Sequence, residues 1–167
     1  KKLNYDTLVN LINKLNKYKK LPKSIIFTSS VSVYGENYNN NEYFEDSNKK
    51  PLSPYAKTKK MAEDFLLQNY INKSWILRLA PMYSSSFMLN INRRVKIGRF
   101  TYQIGDGSHK LSLCNINNFN LLVKSIIDEK VPSGIYNIAD KQNYSYKDLI
   151  LLNENLFILK FPNFLIN

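Results

Sequence analysis

Three short apolar runs, each set between stretches of helical periodicity, constrain the fold of this chain more than any other feature. They are SIIFTSS (24–30), WILRLA (75–80) and GIYNIA (134–139). Runs of this length, apolar almost throughout, read as strands buried on both faces, the condition of a parallel sheet. Between and around them lie helical patterns. In YDTLVNLINKLNKY (5–18), Leu8, Leu11, Ile12, Leu15 and Tyr18 fall on one stripe, and Pro22 ends the segment. Ser53 can cap a second helix with Pro54 in its first turn, running to about Ile71. NNFNLLVKSIIDE (117–129) and SYKDLILLNE (145–154) read as further helices, the last behind a serine cap. FTYQIG (100–105) and LSLCN (111–115) read as strands, residues 35–52 as a polar loop, and the stretch after Pro81 as irregular. Helix–strand alternation of this kind predicts an α/β domain on a parallel sheet.

Composition narrows the functional classes. The 167 residues are enough for a domain with a real core, and their formal net charge is +11. The lysines are spread over helix faces and loops with no block of five like charges, so nucleic acid is not an expected partner. A basic surface also suits a phosphorylated or nucleotide-linked small substrate. A single cysteine, Cys114, excludes an internal disulfide and fits a reducing, cytoplasmic compartment; it reads as a small apolar core residue. No apolar run reaches the roughly 18 residues needed to cross a bilayer, and Lys1 and Lys2 lead into a polar stretch with no secretory signal. Neither a membrane partner nor a metal is expected.

The chemistry gathers at two places. FTSSVSVYG puts Thr28, Ser29 and Ser30 at a strand's carboxyl end, where ligands of open α/β sheets sit. PLSPYAKTKKMAEDFL (51–66) puts Tyr55 and Lys59 one turn apart at the start of a helix, on the same face. A free phenol has a pKa near 10. A neighbouring ammonium favours the phenolate, and a general base works best when its pKa approaches the working pH. The spacing alone proves little. With 12 tyrosines and 24 basic residues, of which four are arginines, chance supplies about 1.4 such pairs. The context carries the argument: a strand-end Ser-Ser ahead of V-Y-G, a proline-containing loop, then S-P-Y-A-K-T-K opening a helix.

SIIFTSSVSVYGE followed by PLSPYAKTKKMAEDFL resembles the extended short-chain dehydrogenase/reductase family, in its group of NAD-dependent sugar epimerases and dehydratases. ILRLAPMY resembles that family's strand and loop beside the nicotinamide, GDGSHKLSLCNINNFNLLVKSII its substrate-domain strand and helix, and GIYNIAD and YSYKDLI the segments that follow. The resemblance implies a partial Rossmann-like, doubly wound parallel sheet with part of a small C-terminal substrate domain. It divides the chain into 1–83, the C-terminal half of the NAD(P)-binding domain, and 84–167, substrate-domain segments with the last Rossmann strand and helix. It implies NAD or NADP as cofactor, a nucleotide-sugar substrate, and a homodimer formed through the Tyr55 helix and the helix before it. Tyr55 matches the family's acid/base. Lys59 matches the partner that also holds the nicotinamide ribose. Ser30 matches the hydroxyl shared with the substrate oxygen. Ala80 and Pro81 match the loop bordering the nicotinamide, Tyr34 sits in the V-Y-G turn as a substrate-side residue, and Lys110 is a candidate for the substrate's phosphates.

Departures from the family pattern shape the rest of the reading. Acidic residues that the dehydratase and decarboxylase branches carry ahead of V-Y-G are replaced by Val31 and Ser32, neither able to serve as the extra acid or base of an elimination. The family's Arg near Leu111, His near Asn115 and acid near Asn118 are also missing, and the lone His109 reads as a surface residue. The five glycines, Gly35, Gly98, Gly105, Gly107 and Gly134, form no G-x-x-G-x-x-G loop. The expectation is an internal fragment of a longer enzyme, or a degenerate relative. Three functions stay open: a nucleotide-sugar epimerase, a keto-sugar reductase or dehydrogenase, and a non-catalytic binding relative.

Overall fold

The computed structural model describes residues 3–35, 42–151 and 158–161. In chain order the elements are α1 (Leu3–Lys17), β1 (Ile25–Ser30), a 3-10 turn (Val31–Tyr34), α2 (Pro54–Tyr70), a second 3-10 turn (Ile71–Lys73), β2 (Ser74–Leu79), β3 (Met82–Tyr83), α3 (Leu89–Val95), β4 (Lys96–Ile97), β5 (Phe100–Ile104), β6 (Lys110–Leu111), β7 (Cys114–Asn115), α4 (Ile116–Ile127), β8 (Gly134–Ile138), β9 (Tyr144–Ser145), α5 (Tyr146–Leu151) and β10 (Ile158–Phe161). They form two compact units, Lys1–Ala80 with Val123–Ile138, and Pro81–Leu122 with Ala139–Asn167.

The first unit holds the three apolar runs as one parallel sheet in the order β1-β2-β8. Its register sets Ile25 against Ser74 and Ser30 against Leu79, then Leu79 against Ile138, so the three carboxyl ends are level. The link from β1 to β2 is α2, as parallel pairing demands of a crossover. Ser53 caps that helix by accepting from the Ala56 N–H at 3.2 Å, ahead of Pro54. The core here is Ile12, Leu66 and Ile76 with Leu8, Phe27, Phe65 and Ile135 around it. The stripe read for α1 is narrower than expected. Ile12 is buried and Leu8 and Leu15 are half-buried, whereas Leu11 and Tyr18 face solvent.

In the second unit α3 and α5 pack on β5, around buried Ile91, Val95, Leu113, Leu149 and Ile150. The single strand expected over LSLCN is two. Lys110–Leu111 pairs antiparallel with β9 and Cys114–Asn115 pairs parallel with β3, because the Leu113 carbonyl is taken by the Asp140 N–H at 2.7 Å. The stretch after Pro81, expected to be irregular, contains β3, α3 and β4. Ser145 caps α5 reciprocally with Asp148: the Asp148 N–H donates to Ser145 Oγ at 3.1 Å, and the Ser145 N–H donates to Asp148 Oδ2 at 2.8 Å. Residues 152–154 of the expected helix, and 36–41 of the expected loop, lie outside the described residues. Among the described residues no helix is long and apolar enough to cross a membrane, and no group of metal-ligating side chains assembles.

Candidate active site

Lys59 is the centre of the site's geometry. It leaves the first turns of α2 and reaches back to the end of β1, where Nζ donates to the Thr28 carbonyl at 2.7 Å. Its ammonium lies 4.9 Å from the Phe27 ring centroid and 5.7 Å from that of Tyr55. Only 9% of the residue is exposed. Burial pushes its pKa below the ordinary lysine value, and the Glu63 carboxylate one turn along α2 pulls partly the other way. Tyr55, by contrast, is 51% exposed at the helix's first turn. The pair therefore joins a cation held against the sheet to a phenol open to solvent.

Ser30 ends β1, two residues beyond the carbonyl that holds Lys59. Its Oγ accepts from the Ser32 N–H at 3.2 Å and from Ser32 Oγ at 3.0 Å, capping the 3-10 turn. Both acceptor positions are engaged, which leaves Ser30 its O–H to donate. Ala80 closes the same end of the sheet: it is buried, and its N–H donates to the Ile138 carbonyl at 2.9 Å. In the second unit, Pro81 offers its carbonyl to the Cys114 N–H at 3.1 Å.

Two of the residues expected to meet substrate have other engagements. Tyr34 is 3% exposed. Its hydroxyl donates to Asn137 Oδ1 at 2.6 Å and accepts from Arg78 Nη1 at 2.6 Å, while its ring stacks on Tyr43 at 4.8 Å. That geometry engages the Tyr34 hydroxyl inside the first unit. Lys110 is exposed on β6, opposite Ser145. Asp148 sits below the usual carboxylate range through hydrogen bonds from Ser145, with the Lys110 charge adding to them. His109 is exposed, as the sequence suggested, with its ring 6.1 Å from that of Tyr146.

Sequence reasoning missed the polar network beneath the site. Glu63, four residues after Lys59, is fully buried with Arg78 of β2. Arg78 Nη2 donates to Glu63 Oε2 at 2.9 Å and Nε to Oε1 at 3.2 Å. Arg78 Nη1 also donates to the Glu45 carbonyl at 2.8 Å, and Ser29 Oγ to Glu63 Oε1 at 2.5 Å. Burial lowers the Arg78 pKa, but the Glu63 hydrogen bonds and charge outweigh it and raise the value. The network ties β1, α2, β2 and residue 45 into one frame behind Ser30 and Lys59. An arginine inside an otherwise apolar strand was the available clue, since a buried charge demands a partner.

A second network lies in the other unit. Asp140 accepts from the Asn115 N–H at 2.9 Å and Asn118 Nδ2 at 2.7 Å on one oxygen, and from the hydroxyls of Tyr83 and Tyr144, each at 2.9 Å, on the other. Burial pushes its pKa up, and these four donors more than reverse the effect. Cys114 is buried, and burial pushes its thiol up to about 11, which suits an inert core residue.

Comparison with known proteins gives this geometry a context. The model of a family described as the NAD dependent epimerase/dehydratase family matches residues 2–139. The chain is 28% identical over 152 residues to the N-acetyl-alpha-D-glucosaminyl-diphospho-ditrans,octacis-undecaprenol 4-epimerase of Escherichia coli O157:H7, covering 84% of this chain and 44% of that protein. Its fold is similar to that of UDP-glucuronic acid 4-epimerase from Bacillus cereus in complex with NAD, with TM-score 0.71 and 22% identity over 96% of this chain and 56% of that one. It is similar also to RMD from Pseudomonas aeruginosa complexed with NADPH, with TM-score 0.70 and 20% identity over 94% and 61%. At such identities the structural likeness speaks to the fold. The chain spans about half the length of the relatives it matches.

Proposed function

From the premise that this chain belongs to the NAD dependent epimerase/dehydratase family, we propose that it carries the proton-transfer machinery of a nucleotide-sugar epimerase. Tyr55 is the acid/base, Lys59 its charged partner, and Ser30 the donor that orients the reacting oxygen. One observation carries the reading: an ammonium sits almost buried against the end of β1 beside a half-exposed phenol. Desolvating a lysine is costly, and a cation whose pKa burial lowers, held at a strand's carboxyl end, supports a functional reading. A sugar hydroxyl set against Tyr55 would give up its proton to the phenolate, while the Ser30 O–H holds the oxygen in line. Return of the proton from Tyr55 completes the cycle.

NAD, or NADP, supplies a hydride acceptor and donor when bound. The residues present fit one side of it. An ammonium has three donors, of which the Thr28 carbonyl takes one among the described residues, so Lys59 has capacity to hold a ribose. Ala80 and Pro81 would border the nicotinamide, and Lys110 would serve the substrate's phosphates. Two of the named relatives support a diphosphate-linked sugar as substrate, one named for a UDP-sugar and one for a sugar on diphospho-undecaprenol.

The test is to incubate the protein that carries this chain with NAD and UDP-linked hexoses and to follow C4 inversion by NMR. Epimer formation that leaves the cofactor oxidised is expected. Net consumption of NADPH with a reduced sugar product would replace this reading with the keto-sugar reductase. No turnover from a folded protein holding its cofactor would favour a binding role.

A further inference from the structure

We propose that Ser32 is a positioning residue that fixes Ser30 as a one-way hydrogen-bond donor, so that the site favours a sugar carbonyl over the alcohol it comes from. The proposal rests on the epimerase reading of this site. Ser30 ends β1 in extended backbone, at φ −146° and ψ 146°, and caps the 3-10 turn Val31–Tyr34. A hydroxyl has one proton and two lone pairs. Ser32 fills both lone pairs of Ser30 Oγ, with its N–H at 3.2 Å and its own Oγ at 3.0 Å. The two bonds differ in kind. The backbone bond is the ordinary closure of a serine cap, which any residue with an N–H supplies. The side-chain bond adds nothing that the cap requires. Among the described residues the Ser32 hydroxyl has no other partner, and the Ser30 proton has no acceptor. The turn holds Ser32 in place from its far end. The Gly35 N–H donates to the Ser32 carbonyl at 3.1 Å, and Gly35 sits at φ 99° where a Cβ would meet the Lys50 carbonyl oxygen at 2.6 Å.

The chemistry follows from that polarity. Oxidation of a sugar carbinol sends its O–H proton to the Tyr55 phenolate and its C–H hydride to the dinucleotide, and leaves a carbonyl. The carbinol oxygen both donates and accepts, whereas the carbonyl oxygen accepts without donating. With both its lone pairs taken, Ser30 has no place for the carbinol proton, so that proton turns to Tyr55. The Ser30 proton is aimed outward instead, and its bond to the sugar oxygen strengthens as negative charge gathers there. A donor into Ser30 also polarises the Ser30 O–H, because hydrogen bonds in a chain reinforce one another. An interaction that is stronger in the transition state than with bound substrate raises kcat rather than lowering KM. Ser32 itself carries no charge and exchanges no proton with the sugar. Its effect passes through Ser30.

The experiment is steady-state kinetics on the protein that carries this chain, with NAD and a UDP-linked hexose, beside thermal melts of the same preparations. Ser32→Ala keeps the backbone cap and opens one lone pair of Ser30 to the sugar hydroxyl. It should lower kcat about three- to ten-fold, the range of one neutral hydrogen bond, with KM level or lower and the melting temperature unmoved. Ser32→Thr keeps a hydroxyl and should hold kcat within about two-fold of the parent. In a Ser30→Ala background, Ser32→Ala should add less than about two-fold, because the group it acts through is gone. The proposal is overturned if Ser32→Ala keeps the parent kcat, or if its loss comes as a raised KM or a lowered melting temperature. It is overturned as well if threonine does no better than alanine, or if the effects of the two serines multiply. The epimerase reading fails in a different way. A folded parent that inverts no sugar, or Ser30→Ala at parent turnover, removes Ser30 from the reaction and Ser32 with it. A slowed Ser30→Ala beside an unaffected Ser32→Ala removes Ser32 alone.

Discussion

Arg78 and Glu63 are both fully buried, and the guanidinium meets the carboxylate at 2.9 Å through Nη2 and 3.2 Å through Nε. The pair fastens the middle strand of the sheet to the helix that carries Tyr55 and Lys59. Removing one partner strands the other charge without water. Glu63→Ala is therefore expected to cost about 3–5 kcal/mol, whereas replacing both with apolar residues of similar size, Glu63→Leu with Arg78→Met, should recover much of that loss. Urea unfolding of the three proteins checks this. A single variant within about 1 kcal/mol of the parent, below the range for a broken buried pair, would mean that water reaches the site.

Tyr34 and Tyr55 should separate stability from chemistry. Losing the Tyr34 hydroxyl leaves Arg78 Nη1 and Asn137 Oδ1 short of a buried partner, at about 1–3 kcal/mol. Tyr55→Phe removes a half-exposed hydroxyl, and the melting temperature should hardly move. With Tyr55 as the proposed base, turnover of the protein that carries this chain should fall by about 10²–10⁴-fold in the variant. Ser30→Ala should cost less than Tyr55→Phe, since one hydrogen bond is lost rather than the base. Turnover and thermal melts on the same preparations test the contrast. A Tyr34 variant that loses turnover at unchanged stability would return that residue to the substrate.

What the sequence made legible follows from the length and contrast of its patterns. The three apolar runs became β1, β2 and β8 because each is bounded by turn residues and long enough to span a sheet. The segment LNINRRV offers only Ile91 and Val95 as buried positions, one helical turn apart, so no period emerges and α3 went unseen. LSLCN looks continuous because apolar content does not reveal that its halves pair with different strands. At the site, the Tyr55–Lys59 spacing is local and could be read directly. The Glu63–Arg78 pair joins a helix to a strand, and only the Arg in WILRLA hinted at it. The burial of Tyr34 was not legible, because the stack on Tyr43 and the bond from Arg78 come from other segments of the chain.

Cofactor affinity should be weak in these 167 residues by themselves. In the proposed site Lys59 and Tyr55 would address the ribose, but no glycine loop here brings backbone N–H groups against the pyrophosphate, the contact that anchors dinucleotides. Calorimetric titration with NAD should give little or no heat. Affinity in the micromolar range would show that a different element cradles the diphosphate.

Lys59 should leave a mark on the pH dependence of stability. The unfolded lysine titrates near 10.5, and burial places the folded group lower. At neutral pH both states hold the proton, and the folded chain bears the full cost of a desolvated cation. As pH rises through the folded value towards 10.5, the folded state releases its proton first. The unfolded state then binds more protons, so stability rises with pH over that window. Above 10.5 neither state is charged and the cost is gone. Lys59→Met has no such group, and it also loses the bond to the Thr28 carbonyl, a change with no pH dependence of its own in this range. The variant's stability relative to the parent should therefore be most favourable at neutral pH and decline steadily as pH approaches 10.5. Urea midpoints for both proteins across that range measure it. A difference that stays flat, or moves the other way, would mean that Glu63 compensates the buried ammonium fully, and that Lys59 rests in its site without strain.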